Sequence, residues 1–288
     1  MSSRRPEWLR KQAPSPSVLN EMRELLSGLS LHTVCESALC PNLGECFSHR
    51  TATFLIMGDI CTRHCRFCAV KKGKPSLLNP DEPGNVARAV SELQLKHVVV
   101  TSVTRDDLSD GGVAHFSKTV NAIRQVKPHP TVEVLIPDFK GSLSALQTIV
   151  DSYPEVINHN LETIPRLYAE VRPEVDYHRS LNLLRAVRSM DGRILTKSGL
   201  MLGLGEEHDE VVAVMEDLLA VGCSLLTIGQ YLAPSFEHHP VIRYVTPQEF
   251  DEYESIGENM GFDFVASSPF VRSSFQAAEM MATLVHNI

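Results

Sequence analysis

Two groups of thiols constrain this chain more than anything else in it. Cys61-Thr62-Arg63-His64-Cys65-Arg66-Phe67-Cys68 puts three cysteines within eight residues, spaced C-x3-C-x2-C, directly after the apolar run Thr53–Met57. Upstream, Cys35-Glu36-Ser37-Ala38-Leu39-Cys40-Pro41-Asn42-Leu43-Gly44-Glu45-Cys46 forms a second triad, C-x4-C-x5-C. Three thiolates in a short segment can take three corners of a cubic iron–sulfur cluster and leave one iron without a protein ligand. A closed structural zinc site wants four nitrogen or sulfur ligands. Taken alone, Cys65 and Cys68 fit zinc or redox chemistry as readily as iron, and His49 or His64 could complete a zinc tetrahedron. Two triads 15 residues apart, each one ligand short, point instead to two clusters.

Six of the seven cysteines fall between residues 35 and 68. A secreted disulfide scaffold spreads an even number along a short chain, so the reducing cytoplasm and metal ligation fit better. The net charge of −8 argues against nucleic acid as a partner, because such surfaces are basic. The sequence has no run of about 18 apolar residues, so no membrane span is expected. Residues 1–17 carry Arg4, Arg5, Arg10 and Lys11 among Pro6, Pro14 and Pro16. They lack the apolar core of a secretory signal and read as an ordered or semi-ordered arm of a cytoplasmic protein.

Ser17 is expected to cap a helix whose core face is Val18, Met22, Leu25 and Leu29. Pro41 and Gly44 make the upstream triad an irregular loop able to turn its thiols inward. From residue 53 onward strands and helices alternate. Strands are expected at 53–57, 97–103, 131–136, 156–161, 194–202 and 224–230. The helices between them show core faces at Val86/Val90/Leu93, Val113/Phe116/Val120/Ile123, Leu143/Leu146/Val150, Leu167/Val171, Leu184/Val187/Met190 and Val211/Met215/Leu218. Six β/α units predict an α/β fold, a parallel sheet rolled into a partial (β/α)6 barrel of TIM type, with chemistry at the C-terminal ends of its strands. The cysteine loop follows the first of these strands. Residues 53–235 are read as the core of one domain, with 1–52 and 236–288 as extensions. Thr246-Pro247-Gln248-Glu249 is a capping box that opens a further helix, and a short strand is expected at 263–266.

Three other features are set aside. Gly203-Leu204-Gly205 continues as Glu206-Glu207-His208 and so is no dinucleotide fingerprint. His238 and His239 diverge as neighbours and are read as surface or packing residues. Cys223, alone before a buried strand, is a small core residue.

The two triads together, with the tail Arg272-Ser273-Ser274-Phe275, resemble the lipoyl synthases of the radical S-adenosylmethionine superfamily. The likeness runs from about Trp8 to Ala277. It includes Thr101-Ser102-Val103-Thr104-Arg105-Asp106-Asp107-Leu108, Asn158-His159-Asn160-Leu161-Glu162-Thr163, Lys197-Ser198-Gly199-Leu200-Met201-Leu202-Gly203-Leu204-Gly205-Glu206 and Gly229-Gln230-Tyr231-Leu232. The tail has Phe275 where the family usually has tyrosine, which removes a hydroxyl and leaves the serines.

The resemblance implies two [4Fe–4S] clusters and S-adenosyl-L-methionine. Cys61, Cys65 and Cys68 would hold the cluster that binds and cleaves the cofactor. Cys35, Cys40 and Cys46, with Ser274 as fourth ligand, would hold an auxiliary cluster that gives up sulfur. A serine alkoxide is a hard ligand poorly matched to iron, which suits a cluster that must come apart. Asn160 and Glu162 would contact the ribose or methionine, and Arg172 or Lys197 would pair the methionine carboxylate. Arg105, Asp106 and Asp107 would meet the methionine amine or the carrier. The implied product is the lipoyl group, made by sulfur insertion at C6 and C8 of an octanoyl chain on a carrier domain (2-oxoacid dehydrogenase E2 or glycine cleavage H protein). An electron donor such as ferredoxin or flavodoxin, and an iron–sulfur carrier that rebuilds the spent cluster, are implied as further partners.

Overall fold

The computed structural model describes residues 5–11 and 15–286; Arg4 and Pro14 of the N-terminal arm lie outside them. In order, the elements are α1 (Pro16–Gly28), β1 (His32–Thr33), α2 (Val34–Ser37), α3 (Leu43–Ser48), β2 (Thr53–Ile56), β3 (Ile60–Cys61), β4 (Lys71–Lys72), α4 (Glu82–Leu93), β5 (His97–Ser102), α5 (Val113–Arg124), β6 (Thr131–Leu135), α6 (Leu143–Val150), β7 (Val156–Asn158), α7 (Tyr168–Val171), α8 (Tyr177–Met190), β8 (Leu195–Leu202), α9 (His208–Ala220), β9 (Leu225–Gln230), α10 (Pro247–Met260), β10 (Phe264–Ser267) and α11 (Ala277–His286).

One sheet takes the order β1-β2-β5-β6-β7-β8-β9-β10. Every pairing in it is parallel except β1 with β2. Parallel neighbours need crossovers, and α4, α5, α6, α8, α9 and α10 supply them. Central strands such as β5, with five of its six residues buried, read as continuous β-branched runs because the sheet is covered on both faces. The helix stripes expected from the sequence face this sheet: Val86, Ala89, Val90 and Leu93 of α4 are buried, as are Val211, Val214, Met215 and Leu218 of α9.

The capping box on α10 forms as its sequence dictates. Thr246 Oγ1 accepts from Glu249 N–H at 3.3 Å, and Thr246 N–H donates to Glu249 Oε2 at 2.9 Å. At α1 the start moves. Ser15 holds the cap position and Pro16 the first turn, so Ser17 lies inside the helix; the fixed φ of proline suits that first position. The upstream triad is not an irregular loop but two short helices, α2 and α3, with Cys40 in the turn between them. Thr33 Oγ1 caps α2 by accepting from Glu36 N–H at 3.3 Å. β7 ends three residues earlier than its apolar run suggests, and Glu162, at φ +67°, rejoins the sheet only as an isolated parallel bridge to Leu200.

The C-terminal tail comes back across the sheet. A Cβ on Gly229 would lie 2.1 Å from Val271 O, and one on Gly199 would lie 3.0 Å from Ser273 Oγ. Glycine on β8 and β9 therefore makes room for the tail. Beyond it, Met280 and Met281 of α11 pack against Val156 and Leu225.

Candidate metal centre

All six clustered cysteines line one cavity of about 680 Å³, and all are free thiols. The downstream loop is held from several sides. Met57 and Gly58, at φ +69° and +89°, turn the chain out of β2. Glu82 Oε2 accepts from Met57 N–H at 2.8 Å, and Arg105 Nη1 donates to Met57 O at 3.2 Å. Arg63, buried between Cys61 and Cys65, donates twice to Asp106 at 2.7 and 3.0 Å and to Asp138 at 2.6 Å. Burial works against its charge, but these two carboxylates outweigh that and hold the guanidinium above its ordinary value. Cys61 Sγ accepts from Arg63 N–H at 3.5 Å and Thr104 N–H at 3.3 Å. Such donors stabilise a thiolate and tune a bound cluster.

The upstream triad faces the same space from the other end. Burial pushes the thiol of Cys35 up to about 12, that of Cys46 to about 11 and that of Cys68 to about 12; Cys65 also moves up. Protonated thiols are poor nucleophiles at neutral pH, and a metal that takes them must displace their protons. The tail forms the facing wall. Asn42 Nδ2 donates to Phe270 O at 2.7 Å, and Lys11 Nζ donates to Asn42 Oδ1 and Glu45 Oε2, each at 2.6 Å. The same ammonium lies over the rings of Phe270 and Phe275, at 4.7 and 5.3 Å. Thr53 Oγ1 donates to Ser274 Oγ at 2.7 Å, and Thr53 also neighbours Cys35.

Of the residues expected to meet a cofactor, Asn160, Glu162 and Arg172 line this cavity. Asn160 Nδ2 donates to Glu162 Oε1 at 3.0 Å and to Ser273 Oγ at 2.7 Å. Arg172 Nη1 donates to the carbonyls of Asn160 and Leu161 at 2.8 and 2.9 Å. Asn160 Oδ1 and Arg172 Nε are buried without a partner. Burial raises the Glu162 carboxyl, against the pull of Arg172, Asn160 and Arg272. Lys197 is elsewhere. It is 1% exposed and its ammonium meets both oxygens of Glu133 at 3.1 Å, so its charge is already matched inside the sheet. Arg105 and Asp106 are likewise committed to the scaffold, Arg105 to Asp107 and Met57, Asp106 to Arg63.

The sequence alone did not single out Arg63, Thr53, Ser273 or Arg272. All four line the cavity, and Arg272 lies near Cys40 and Glu162, its charge disfavoured by burial. The adjacency of Arg272 and Ser273 to Ser274 was a usable signal for two of them. His238 and His239 are packing residues: His238 Nε2 meets Cys68 O at 3.2 Å, and His239 N–H donates to Arg66 O at 2.8 Å. The glycine turn at 203–205 is filled by the chain itself, since Glu206 accepts from the N–H groups of Gly203, Leu204 and Gly205 at 2.6, 2.9 and 3.1 Å. Cys223 is buried in the core.

Residues 55–218 match the model of the Radical SAM superfamily. A lipoyl synthase from Caldanaerobacter subterraneus subsp. tengcongensis is 57% identical over 277 residues, which is 96% of this chain and 97% of that one. The chain belongs to the lipoyl synthase family. A second lipoyl synthase, from Alkaliphilus metalliredigens, is 54% identical with 96% of both chains covered. Among solved structures, methylornithine synthase aligns with a TM-score of 0.54 at 13% identity, over 86% of this chain and 81% of its own. HydG, a maturase of the [FeFe]-hydrogenase, aligns at 0.58 and 14% identity over 88% and 68%. At such identities these two establish the fold alone.

Membership of the radical S-adenosylmethionine lipoyl synthases implies a [4Fe–4S] cluster and the cofactor that gives the superfamily its name. The residues fit that group. The downstream loop presents three unbridged thiols, one with two N–H donors on its sulfur. Asn160 and Arg172 keep polar atoms in reserve on the same cavity wall.

Proposed function

We propose that this chain makes the lipoyl group by inserting two sulfur atoms, at C6 and C8, into an octanoyl chain held on a carrier protein. The observation that carries this reading is the single cavity lined by both cysteine triads and by Ser274. Cys61, Cys65 and Cys68 would hold one [4Fe–4S] cluster, and Cys35, Cys40, Cys46 and Ser274 a second. When bound, the first cluster with S-adenosylmethionine supplies hydrogen abstraction from unactivated C–H bonds, and the second supplies sulfur, chemistry beyond any side-chain acid or base.

The chain's own residues bind, orient and exclude water. Asn160, Glu162 and Arg172 would hold the ribose and methionine parts of the cofactor. The pairing of Asn160 with Ser273, beside that of Thr53 with Ser274, links that pocket to the tail. Val103, Leu135, Ile136, Leu200 and Met201 line the same cavity and would keep water from a reactive carbon. In this reading residues 53–235 are a partial (β/α)6 barrel, and 1–52 and 236–288 close the second cluster against it. The substrate would be an octanoylated carrier domain (E2 or H protein type), met in the reducing cytoplasm, with an iron–sulfur carrier restoring the consumed cluster. Among the described residues no helix is long and apolar enough to cross a membrane.

The test is an anaerobic turnover on an octanoylated carrier peptide with reductant and S-adenosylmethionine, read by mass. A peptide that gains two sulfur atoms is expected. Release of 5′-deoxyadenosine with no sulfur in the peptide would overturn the assignment of product.

A further inference from the structure

The loop bearing Cys61, Cys65 and Cys68 runs on into a cationic ribbon that the function above leaves unused. β3 and β4 pair in parallel, with Ile60 opposite Lys71 and Cys61 opposite Lys72. Gly73 N–H donates to Cys61 O at 3.0 Å. Lys72 thus stands one strand spacing from a cysteine of the first triad. Residues 59–77 hold five cations (Arg63, Arg66, Lys71, Lys72, Lys74) against Asp59 alone, in a chain of net charge −8.

These cations are not equally engaged. Arg63 is buried in its carboxylate pair. Lys71 meets Asp59 at 2.7 Å, Arg66 lies 4.0 Å from Glu170, and His64 lies 3.4 Å from Glu174. Among the described residues Lys72 and Lys74 have no ion-pair partner, and both are exposed. Leu77 beside them is 97% exposed. An apolar side chain next to unpaired cations makes a small surface suited to an acidic protein, whose approach such charges steer and speed.

Position decides which acidic protein. Cys61, Cys68, Ala69 and Val70 line the cavity, whereas Lys71, Lys72 and Lys74 do not. The ribbon is the outward side of the loop. A carrier must thread its acyl chain into the cavity, but an electron donor need only come close to the cluster from behind. We propose that the β3–β4 ribbon, through Lys72 and Lys74, docks an acidic, low-potential one-electron carrier protein. The proposal rests on the reading that Cys61, Cys65 and Cys68 hold a reducible cluster. One electron leaves the donor, which is oxidised by one, and reduces that cluster by one; no bond or proton moves.

The test uses anaerobically purified holoenzyme, with reduced bacterial ferredoxin as protein donor and dithionite as small donor. In Lys72→Glu/Lys74→Glu, the ferredoxin concentration giving half-maximal 5′-deoxyadenosine release is expected to rise about tenfold at low salt, with the dithionite-driven rate unchanged. Independently of turnover, carbodiimide coupling of the wild-type holoenzyme to oxidised ferredoxin is expected to join Lys71, Lys72 or Lys74, and to fade as salt is added. An unaltered ferredoxin requirement in the double variant overturns the proposal. So does coupling that avoids the ribbon, or a carrier domain that couples there in ferredoxin's place. Should the variant lose dithionite turnover too, the wild-type coupling map decides. Wild-type protein that releases no 5′-deoxyadenosine with either donor would defeat the radical reading instead, while the map still reports on docking.

Discussion

Cys61 enters the cavity from β3, a few residues after the first parallel strand, whereas Cys35 and Cys46 sit on two short helices outside the parallel sheet, with Cys40 in the turn between them. The loop of the first site is bonded to its neighbours through Arg63, Asp106, Asp138 and Arg179, and Arg179 Nε reaches Asp138 at 2.7 Å. The second site is closed by contacts that span most of the chain, from Asn42 to Phe270, from Thr53 to Ser274, and from Lys11 to two tail rings. Opening the first would disturb the ends of β5 and β6. Opening the second requires only that the tail lift. On the proposed reading, the cluster that is spent and rebuilt would occupy the second kind of site, and the one that persists the first.

The sharpest way to break this contrast is to remove one thiol from each site. Cys65→Ala is expected to abolish 5′-deoxyadenosine release, and Cys40→Ala to retain it while losing all sulfur-containing product. Each variant should carry about half of roughly eight irons per chain. Equal behaviour of the two would erase the division between the sites.

Stability should separate them next. Asp138→Asn leaves two guanidinium groups facing a neutral buried amide, and a loss of about 3 kcal/mol is expected from urea unfolding of the holoprotein. An unshifted midpoint would mean that the network does not hold the loop. Acid should strike the same sheet. Burial alone would raise the Glu133 carboxyl, but Lys197, His97 and Asn158 bring it down to about 2. Its contribution, on the order of 3 kcal/mol, is therefore present above the ordinary carboxylate range and fades as pH falls from 4.5 toward 2. Glu133→Gln should flatten that part of the stability profile, and an unchanged profile would count against the pair.

Smaller effects are expected on the side of the tail. Ser274→Ala should cut lipoyl product about tenfold, equivalent to about 1.4 kcal/mol, with cofactor cleavage retained; full product formation would remove Ser274 from the reaction. Asn42→Ala deletes one bond to the tail and is expected to cost about 1 kcal/mol. Hydrogen exchange in residues 268–276 should quicken while the 57–68 loop is unchanged, and equal quickening in both would show that the tail is no separate unit.

Strand and helix periodicity made the β/α alternation readable, because a two-sided parallel sheet demands unbroken apolar runs and its crossovers demand a single apolar stripe. Cysteine spacing placed both triads, since thiol ligation is a local requirement. The fate of the charged residues was not readable that way. Lys197 and Arg105 carry the same ammonium and guanidinium groups wherever they stand, and only the packed chain sets Lys197 against Glu133 and Arg105 against Met57. Nor does Gly199 or Gly229 announce what it makes room for. The sequence by itself determined the alternating scaffold and the two clustered sets of thiols. The tertiary structure alone decided that both sets share one cavity and that residues 270–275 close it, because contacts across more than 200 residues leave no periodic trace in the chain.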